Sequence, residues 1–412
     1  MKYVTTLLLF VVAIALSVPV LPDYDYLIRL ENTEEFYSKI KELPLFEFLL
    51  SGERVGFEQT IRRWVETRLE DPSVFYRGLS KEIVISGKGD VKDLLSFDVN
   101  SLLSTPEKLT NGFIAFRTDS PQKFVESLAK IKASEYYEKN GVFVIEGATH
   151  LFSKVMGEYV LVSPNRKILE EVQDQKMDLA KAPVAIHVRD LNLFGKIGEA
   201  TLKAEMKPSH LTIEVSQKAP PFSVSKKEDM GQLPYLGDLF AFTSSHEILK
   251  IILNQIFKND DVEEFYHEFF SNGESVTFLT TLYETPKFVF LIGNKTLKGV
   301  ESFLISRGAE RVGDEWQLPV RNTVLHFFEY KDKLVVSSMK RAEYVQAVNR
   351  RRLENHPTFA FLEKESPEEV FLEMFLDLNS FINKILGFSP KSSLLLIGYI
   401  ENGLIKYRLE VM

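Results

Sequence analysis

The sequence predicts an α+β protein made of two diverged tandem copies of one unit, each with helices packed on a largely antiparallel sheet of strand-helix-strand-strand modules. Three observations predict it. Short apolar runs alternate with stretches of helical period along the chain. Phrases recur in the same order in both halves, the signature of an internal repeat. A stretch rich in proline, serine and charge, "QKAPPFSVSKKEDMGQ", separates the halves and reads as an exposed connection.

The elements follow from four pairs of phrases. "LPDYDYLIRLENTEEFYSKI" from Leu21 matches "LPYLGDLFAFTSSHEILKII" from Leu233. Each runs from Leu-Pro into a strand, then into Asn, Thr or Ser, which accept bonds from the orphan N–H groups of a helix start. "GFIAFRTDSPQKFVESL" from Gly112 matches "KFVFLIGNKTLKGVESF" from Lys287, with Val125-Glu126-Ser127 recurring as Val300-Glu301-Ser302. "YVLVSPNRKILEEV" from Tyr159 answers "KLVVSSMKRAEYVQAV" from Lys333. Last, "DLNLF" from Asp190 returns as "DLNSF" from Asp377. The spacing between partners varies, so the copies share a scaffold and differ in its excursions. Ser86–Gly112 is the expected extra segment of copy one and Arg351–Glu369 that of copy two.

After "PVAIHVR", whose Val184, Ile186 and Val188 alternate as in a half-buried strand, Asp190 and Asn192 are expected to turn the chain into a helix, "LFGKIGEA". "SFINKIL" plays the same part in copy two. Asp190, Asn192, Asp377 and Asn379 are therefore read as helix caps, with two acidic ligand sites as the alternative. A hairpin should follow each, "TLKAEM-KPSH-LTIEVS" in copy one and "LLLIGYI-ENG-LIKYRLEV" in copy two, the second turned by Asn402-Gly403.

Lys2, the apolar run Leu7–Leu16 and the small residues of Ala13-Ile14-Ala15 or Ala15-Leu16-Ser17 predict a secretory signal over residues 1–17, with an uncleaved anchor as the alternative. Copy one then spans 18–216, the connection 217–232 and copy two 233–412. The absence of cysteine excludes disulfides, thiol nucleophiles and thiolate metal sites. Lys plus Arg number 50 against 58 Asp plus Glu, a net charge of −8, which argues against nucleic acid as a partner. The basic knot Arg350-Arg351-Arg352 suits a helix C-terminus.

Recognisable reaction centres are missing. His150, His187, His210, His246, His267, His326 and His356 show no metal-binding spacing. Asp260, Glu263, Glu264 and His267 can share a helix face, but a di-metal bundle needs a second Glu-x-x-His; a solvated face backed by Phe265, Tyr266 and Phe269 is expected. There is no nucleophile elbow, P-loop or dinucleotide fingerprint, and "SGKGD" at Ser86 reads as a turn. No catalytic, cofactor-binding or metal residue is assigned, and no cofactor is expected. The 32 phenylalanines against 2 tryptophans point to aromatic packing. "LPLFEFLL" at Leu43 and "HPTFAFLE" at His356 read as helix starts with buried aromatics.

On "NGFIAFRTDSPQKFVESL", "MGEYVLVSPNRKILEEV", "NHPTFAFLEKESPEEVFLEMFLDLNSF" and the Leu-Pro before the first strand, the chain resembles a diffuse family of exported bacterial proteins classed as a domain of unknown function. The resemblance covers most of the mature chain and implies an extracytoplasmic place, without a catalytic residue to carry over. The expectation is an exported, periplasmic or cell-envelope protein, non-enzymatic, that binds a protein or hydrophobic ligand or organises the envelope, touching the membrane at most through its N-terminus. A lipid carrier with a Phe-lined cavity and a polysaccharide-acting enzyme with a carboxylate pair are the alternatives.

Overall fold

The structure, a computed structural model, describes residues 19–50, 56–90, 109–147, 149–175, 182–227, 230–257, 269–270, 275–281, 287–293, 295–320, 323–387 and 389–412. Mixed helices and antiparallel sheet make it an α+β protein. The chain divides into two compact units: the first runs to Leu191 and includes Ile197–Gln217, the second takes Asn192–Lys196 and Lys218–Met412. Among the described residues no helix is long and apolar enough to cross a membrane.

The first unit contains β1 (Tyr26–Glu31), α1 (Thr33–Lys41), α2 (Pro44–Leu50), α3 (Phe57–Glu66), α4 (Ser73–Ser80), β2 (Glu82–Gly87), β3 (Gly112–Arg117) and α5 (Pro121–Ile131). It continues with β4 (Tyr136–Lys139), β5 (Val142–Ile145), β6 (Leu151–Met156), β7 (Tyr159–Ser163), α6 (Arg166–Glu171), β8 (Val184–Leu193), β9 (Lys196–Met206) and β10 (Leu211–Gln217). Antiparallel pairing gives the order β4-β5-β6-β7-β3-β2-β1-β8, and β9 pairs with β10.

The strands β2 and β3 are buried almost throughout. Antiparallel sheets commonly leave one face wet; here both are covered. On one face Phe124 of α5 meets Phe116 of β3 and Phe75 of α4, with ring centroids 5.0 and 5.7 Å apart. On the other, Leu27, Val84, Phe113, Ala115 and Leu161 pack against Val20, Leu21 and Leu169. Val20, ahead of β1, bridges to Gln173, just past α6. The helices dock through side chains one turn apart, such as Phe36 and Ile40 of α1. Each fully buried ring is worth about 1.5–3 kcal/mol.

The second unit contains β11 (Ser225–Lys226), β12 (Leu239–Thr243), α7 (His246–Phe257), β13 (Val276–Thr280), β14 (Phe288–Ile292), α8 (Leu297–Ser306), β15 (Glu310–Val312), β16 (Glu315–Val320), β17 (Thr323–Tyr330), β18 (Lys333–Ser337) and α9 (Arg341–Arg350). Then come α10 (Pro357–Leu362), β19 (Glu369–Val370), β20 (Leu372–Asp377), α11 (Leu378–Leu386), β21 (Ser393–Glu401) and β22 (Leu404–Val411). The order is β15-β16-β17-β18-β14-β13-β12-β20-β21-β22, all antiparallel. Two apolar layers sandwich this sheet. One holds Phe278, Phe290 and Phe327 with Val300 and Leu304 of α8. The other holds Phe240, Phe242 and Val335 with Tyr344 and Val348 of α9. The phenylalanines thus fill cores, as the composition suggests.

Three expectations change. "LFGKIGEA" is not a helix: Phe194 and Gly195 take φ of 49° and 83°, a left-handed pair that reverses the chain at once, and Ala200, Leu202 and Ala204 then alternate as the buried face of β9. The stretch 217–232 is not a free connection. Phe222 packs on Phe371 with centroids 4.5 Å apart, β11 pairs with β19, and Met230 is buried among Phe240 and Leu353; these apolar residues outweigh the surrounding charge. Of the "HPTFAFLE" aromatics, Phe359 is buried while Phe361 is 43% exposed, because the short α10 offers one face to the core. The expected acidic helix around Glu264 and His267, and residues 91–108 of the Ser86–Gly112 segment, lie outside the described residues; Phe269 is buried as expected.

Gly398 of β21 is required by close approach. A Cβ there would sit 2.4 Å from the Phe371 ring, an overlap that a packed core relieves only by moving the ring. Gly398→Ala is expected to cost about 1–3 kcal/mol, read from the urea midpoint, with Phe371→Leu in the same chain recovering part of the loss.

Candidate functional site

A cleft of about 430 Å³ opens at one end of the first unit's sheet. Its floor comes from four adjacent strands: Arg29 of β1, Glu82 of β2, Arg117 of β3 and Tyr159 of β7. Side chains alternate along a strand, so Arg29 points to the same face as Leu27, and Tyr159 to the same face as Leu161. Toward the sheet's middle that face is the apolar layer under Val20 and Leu169; at its end it is ionic. Pro19, Met156, Asp174 and Gln175 complete the walls.

Glu82 is the hub and is 8% exposed. Arg29 Nε donates to its Oε1 at 3.0 Å, and Tyr159 Oη donates to its Oε2 at 2.7 Å. Arg117 Nη1 lies 3.6 Å from Oε2. Arg29 also pairs with Glu31. Arg117 pairs with Glu158 at 2.8 Å, and that bond pushes its guanidinium further up. Burial, helped by the bond to Glu82, pushes the Tyr159 phenol well above its ordinary value and keeps it a donor. Asp174 and Gln175 are exposed and make no side-chain bond among the described residues.

A second polar group lies inside the other unit. Tyr235 donates to the buried Asp377, stacks near His356 at 5.3 Å and lies under the Arg351 guanidinium at 4.5 Å. The Tyr235 amide donates to the Arg351 carbonyl at 2.9 Å. Burial first, then the bond to Asp377, raises the Tyr235 phenol. His356 caps α10: its Nδ1 accepts from the Phe359 amide at 3.4 Å. Burial lowers the imidazole, with Asp377 opposing and Arg351 reinforcing. These groups tie the segment before β12 to the end of α9, a structural part.

The residues singled out from sequence are dispersed. Asp377 is a cap as expected, its Oδ1 accepting from the Asn379 amide at 2.9 Å; Asn379 accepts from Ser389 and Ser392. Asp190 is exposed on β8, and Asn192 caps the Phe194-Gly195 turn by accepting from the Gly195 amide at 3.1 Å rather than starting a helix. His326 pairs with Glu315 at 3.1 Å, and His187 with Glu199 at 2.9 Å. In the basic knot, Arg350 ends α9 as expected, while Arg352 donates to Gln232 at 2.6 Å. Among the described residues no group of three His, Asp or Glu is placed to hold a metal. Sequence reading missed Arg29, Glu82, Arg117 and Tyr159. The available signal was weak: an arginine inside "YLIRLE", a strand otherwise apolar up to its terminal Glu31.

Two outcomes follow. Glu82→Ala removes the acceptor of the Arg29 Nε–H and of the Tyr159 hydroxyl in a mostly buried site and is expected to cost about 1–3 kcal/mol. Arg117→Ala, whose side chain is 46% exposed, should cost less than about 1 kcal/mol; urea unfolding of both variants measures the contrast. The His356 imidazole has a lower pKa folded than unfolded, so the unfolded chain takes its proton first. Its contribution is full above the ordinary value of 6.5 and is lost as pH falls through and below it. The melting temperature should therefore drop between about pH 7.5 and about pH 5, and His356→Asn, which can still cap a helix, should show a shallower drop.

No family model matches the chain, and no curated protein matches it. Two solved structures are similar at low identity. Crystal form IV of TP0453 is 11% identical over 46% of this chain and 93% of that one, with a TM-score of 0.28. Crystal form I of TP0453 is 9% identical over 79% and 94%, with a TM-score of 0.22.

Proposed function

We propose that the protein is an exported, non-catalytic binding protein of the cell envelope, built from two diverged copies of one unit, with its ligand site in the ionic cleft of the first. The leader-like Leu7–Leu16 run and the family resemblance support export. The observation that carries the rest is a row of cross-strand partners. In the first unit it reads Ile186, Ile28, Ile85, Ile114, Val162, Ser153, Phe143, Glu138. In the second it reads Met374, Ala241, Phe278, Phe290, Val336, Phe327, Trp316, Arg311. Each partner occupies the same strand in the same order. Smaller details agree: Ser163 Oγ donates to the Gly112 carbonyl and Ser337 Oγ to the Phe288 carbonyl, and Pro234 bridges to Arg352 as Val20 does to Gln173.

This register corrects two readings. Met374 lies opposite Ala241 as Ile186 lies opposite Ile28, so Asp377 answers Arg189 and the two "DLN" phrases are one residue out of step. With a period of two, that step turns their side chains to opposite faces. The extra length of copy one is also not confined to Ser86–Gly112; the stretch between β1 and β2, which carries α2 and α3, holds part of it.

On this reading the copies differ at the cleft. Where the first unit has Arg29, Glu82, Arg117 and Tyr159, the second has Phe242, Ser275, Gly293 and Lys333. Pro19 and Asp174 answer to Leu233 and Leu353, which are fully buried beside Phe242. One copy plugs with apolar side chains the place that the other leaves open and charged. A scaffold does not need that opening, which supports a binding role. Glu82 and Glu158 have oxygens engaged by Arg29, Tyr159 and Arg117, which counts against a carboxylate pair free for proton transfer. Rings such as Phe278 and Phe290 pack on each other, with centroids 5.6 Å apart, which counts against a Phe-lined carrier and for a polar ligand.

Pro19→Leu with Asp174→Leu copies the plug of the second unit. Native mass spectrometry of the purified protein is expected to show a copurified small molecule on the wild type and none on this variant, with the melting temperature not lowered. Equal retention of that molecule by a folded variant would overturn the assignment of the cleft.

A further inference from the structure

We infer that the cleft's ligand is a neutral, hydroxyl-rich molecule of the saccharide class; this rests on the cleft being the binding site. The argument is one of donors, acceptors and charge. Each guanidinium already faces two carboxylates, Arg29 with Glu82 and Glu31, Arg117 with Glu158 and Glu82. A phosphate or carboxylate ligand would have to displace one of these and would meet Asp174 on the same wall. An alkyl chain would strip water from Arg117, Glu158 and Asp174 without replacing their bonds, a cost apolar contact does not offset. An ammonium brings donors alone and leaves the donors of Arg117 and Gln175 on the lining unanswered.

A hydroxyl both donates and accepts. The wall groups left unengaged among the described residues call for both: Asp174 accepts, and its neighbour Gln175 offers an amide N–H and a carbonyl. Arg117 and Glu158 are 46% and 63% exposed and present further donor and acceptor edges. Neighbouring hydroxyls on one ring match these planar, two-pronged groups. Pro19 and Met156 supply apolar surface for the ring's C–H face. A volume of about 430 Å³ is in the range of small-ligand sites.

The test is calorimetric titration of the full chain with cellotriose, maltotriose and chitotriose, and in parallel with spermidine and inorganic phosphate. At least one trisaccharide is expected to bind, with affinity falling about tenfold or more in Asp174→Ala with Gln175→Ala. Both side chains are exposed, so the variant's melting temperature should match the wild type's. If spermidine or phosphate binds, loses affinity in the double variant, and the trisaccharides are inert, the saccharide class is overturned while the cleft stands as a binding site. If no trisaccharide binds, or binding ignores the double variant, the saccharide assignment falls, and the copurified mass on the wild type against the plugged variant then decides separately whether the cleft binds anything.

Discussion

Each unit depends on burying both faces of its central antiparallel sheet. Strands such as β2 and β14 are buried on both sides, so each sheet needs two covers. Helices provide one, α4 and α5 in the first unit and α8 in the second. The other is built from the segment before the first strand and the helix after the fourth hairpin strand, joined by an isolated bridge, Val20 to Gln173 or Pro234 to Arg352. With no cysteine to cross-link the chain, burial and hydrogen bonding carry the stability.

The cleft exists where the second cover of the first unit stops short. Sheet face left without cover must be polar to tolerate water, and ionic groups near a low-dielectric core must pair. Arg29, Glu82, Arg117 and Tyr159 satisfy both demands. In the second unit Leu233, Leu353 and Phe242 extend the cover instead, and the polar residues under it, Tyr235, Asp377 and His356, serve to fasten it.

Much of the architecture was legible from residue order. Strand then helix after Leu-Pro, at Gly112 and Lys287, and at Tyr159 and Lys333, all form as read, and Asn402-Gly403 turns its hairpin with φ of 52° and 75°. These signals are local: a run's period, a cap, a turn pair. Failures came where local signals competed. "LFGKIGEA" contains spacing compatible with a helix, but the Phe194-Gly195 turn and the alternation of Ala200, Leu202 and Ala204 favour a strand. The connection 217–232 reads as solvated by composition, yet Phe222 and Met230 find apolar partners far along the chain.

Residue order by itself settled most of the succession of strands, helices and turns, "LFGKIGEA" and the 217–232 stretch apart, because those depend on neighbours a few positions apart. It also excluded disulfide and thiol chemistry outright. The cleft was decided only by tertiary structure. Its floor residues lie between positions 29 and 159, and no local pattern links them; antiparallel register brings them side by side. Tertiary structure likewise separated the two "DLN" phrases, Asp190 lying exposed on β8 and Asp377 buried where it caps α11, since partners distant in sequence decide which face of a strand is covered.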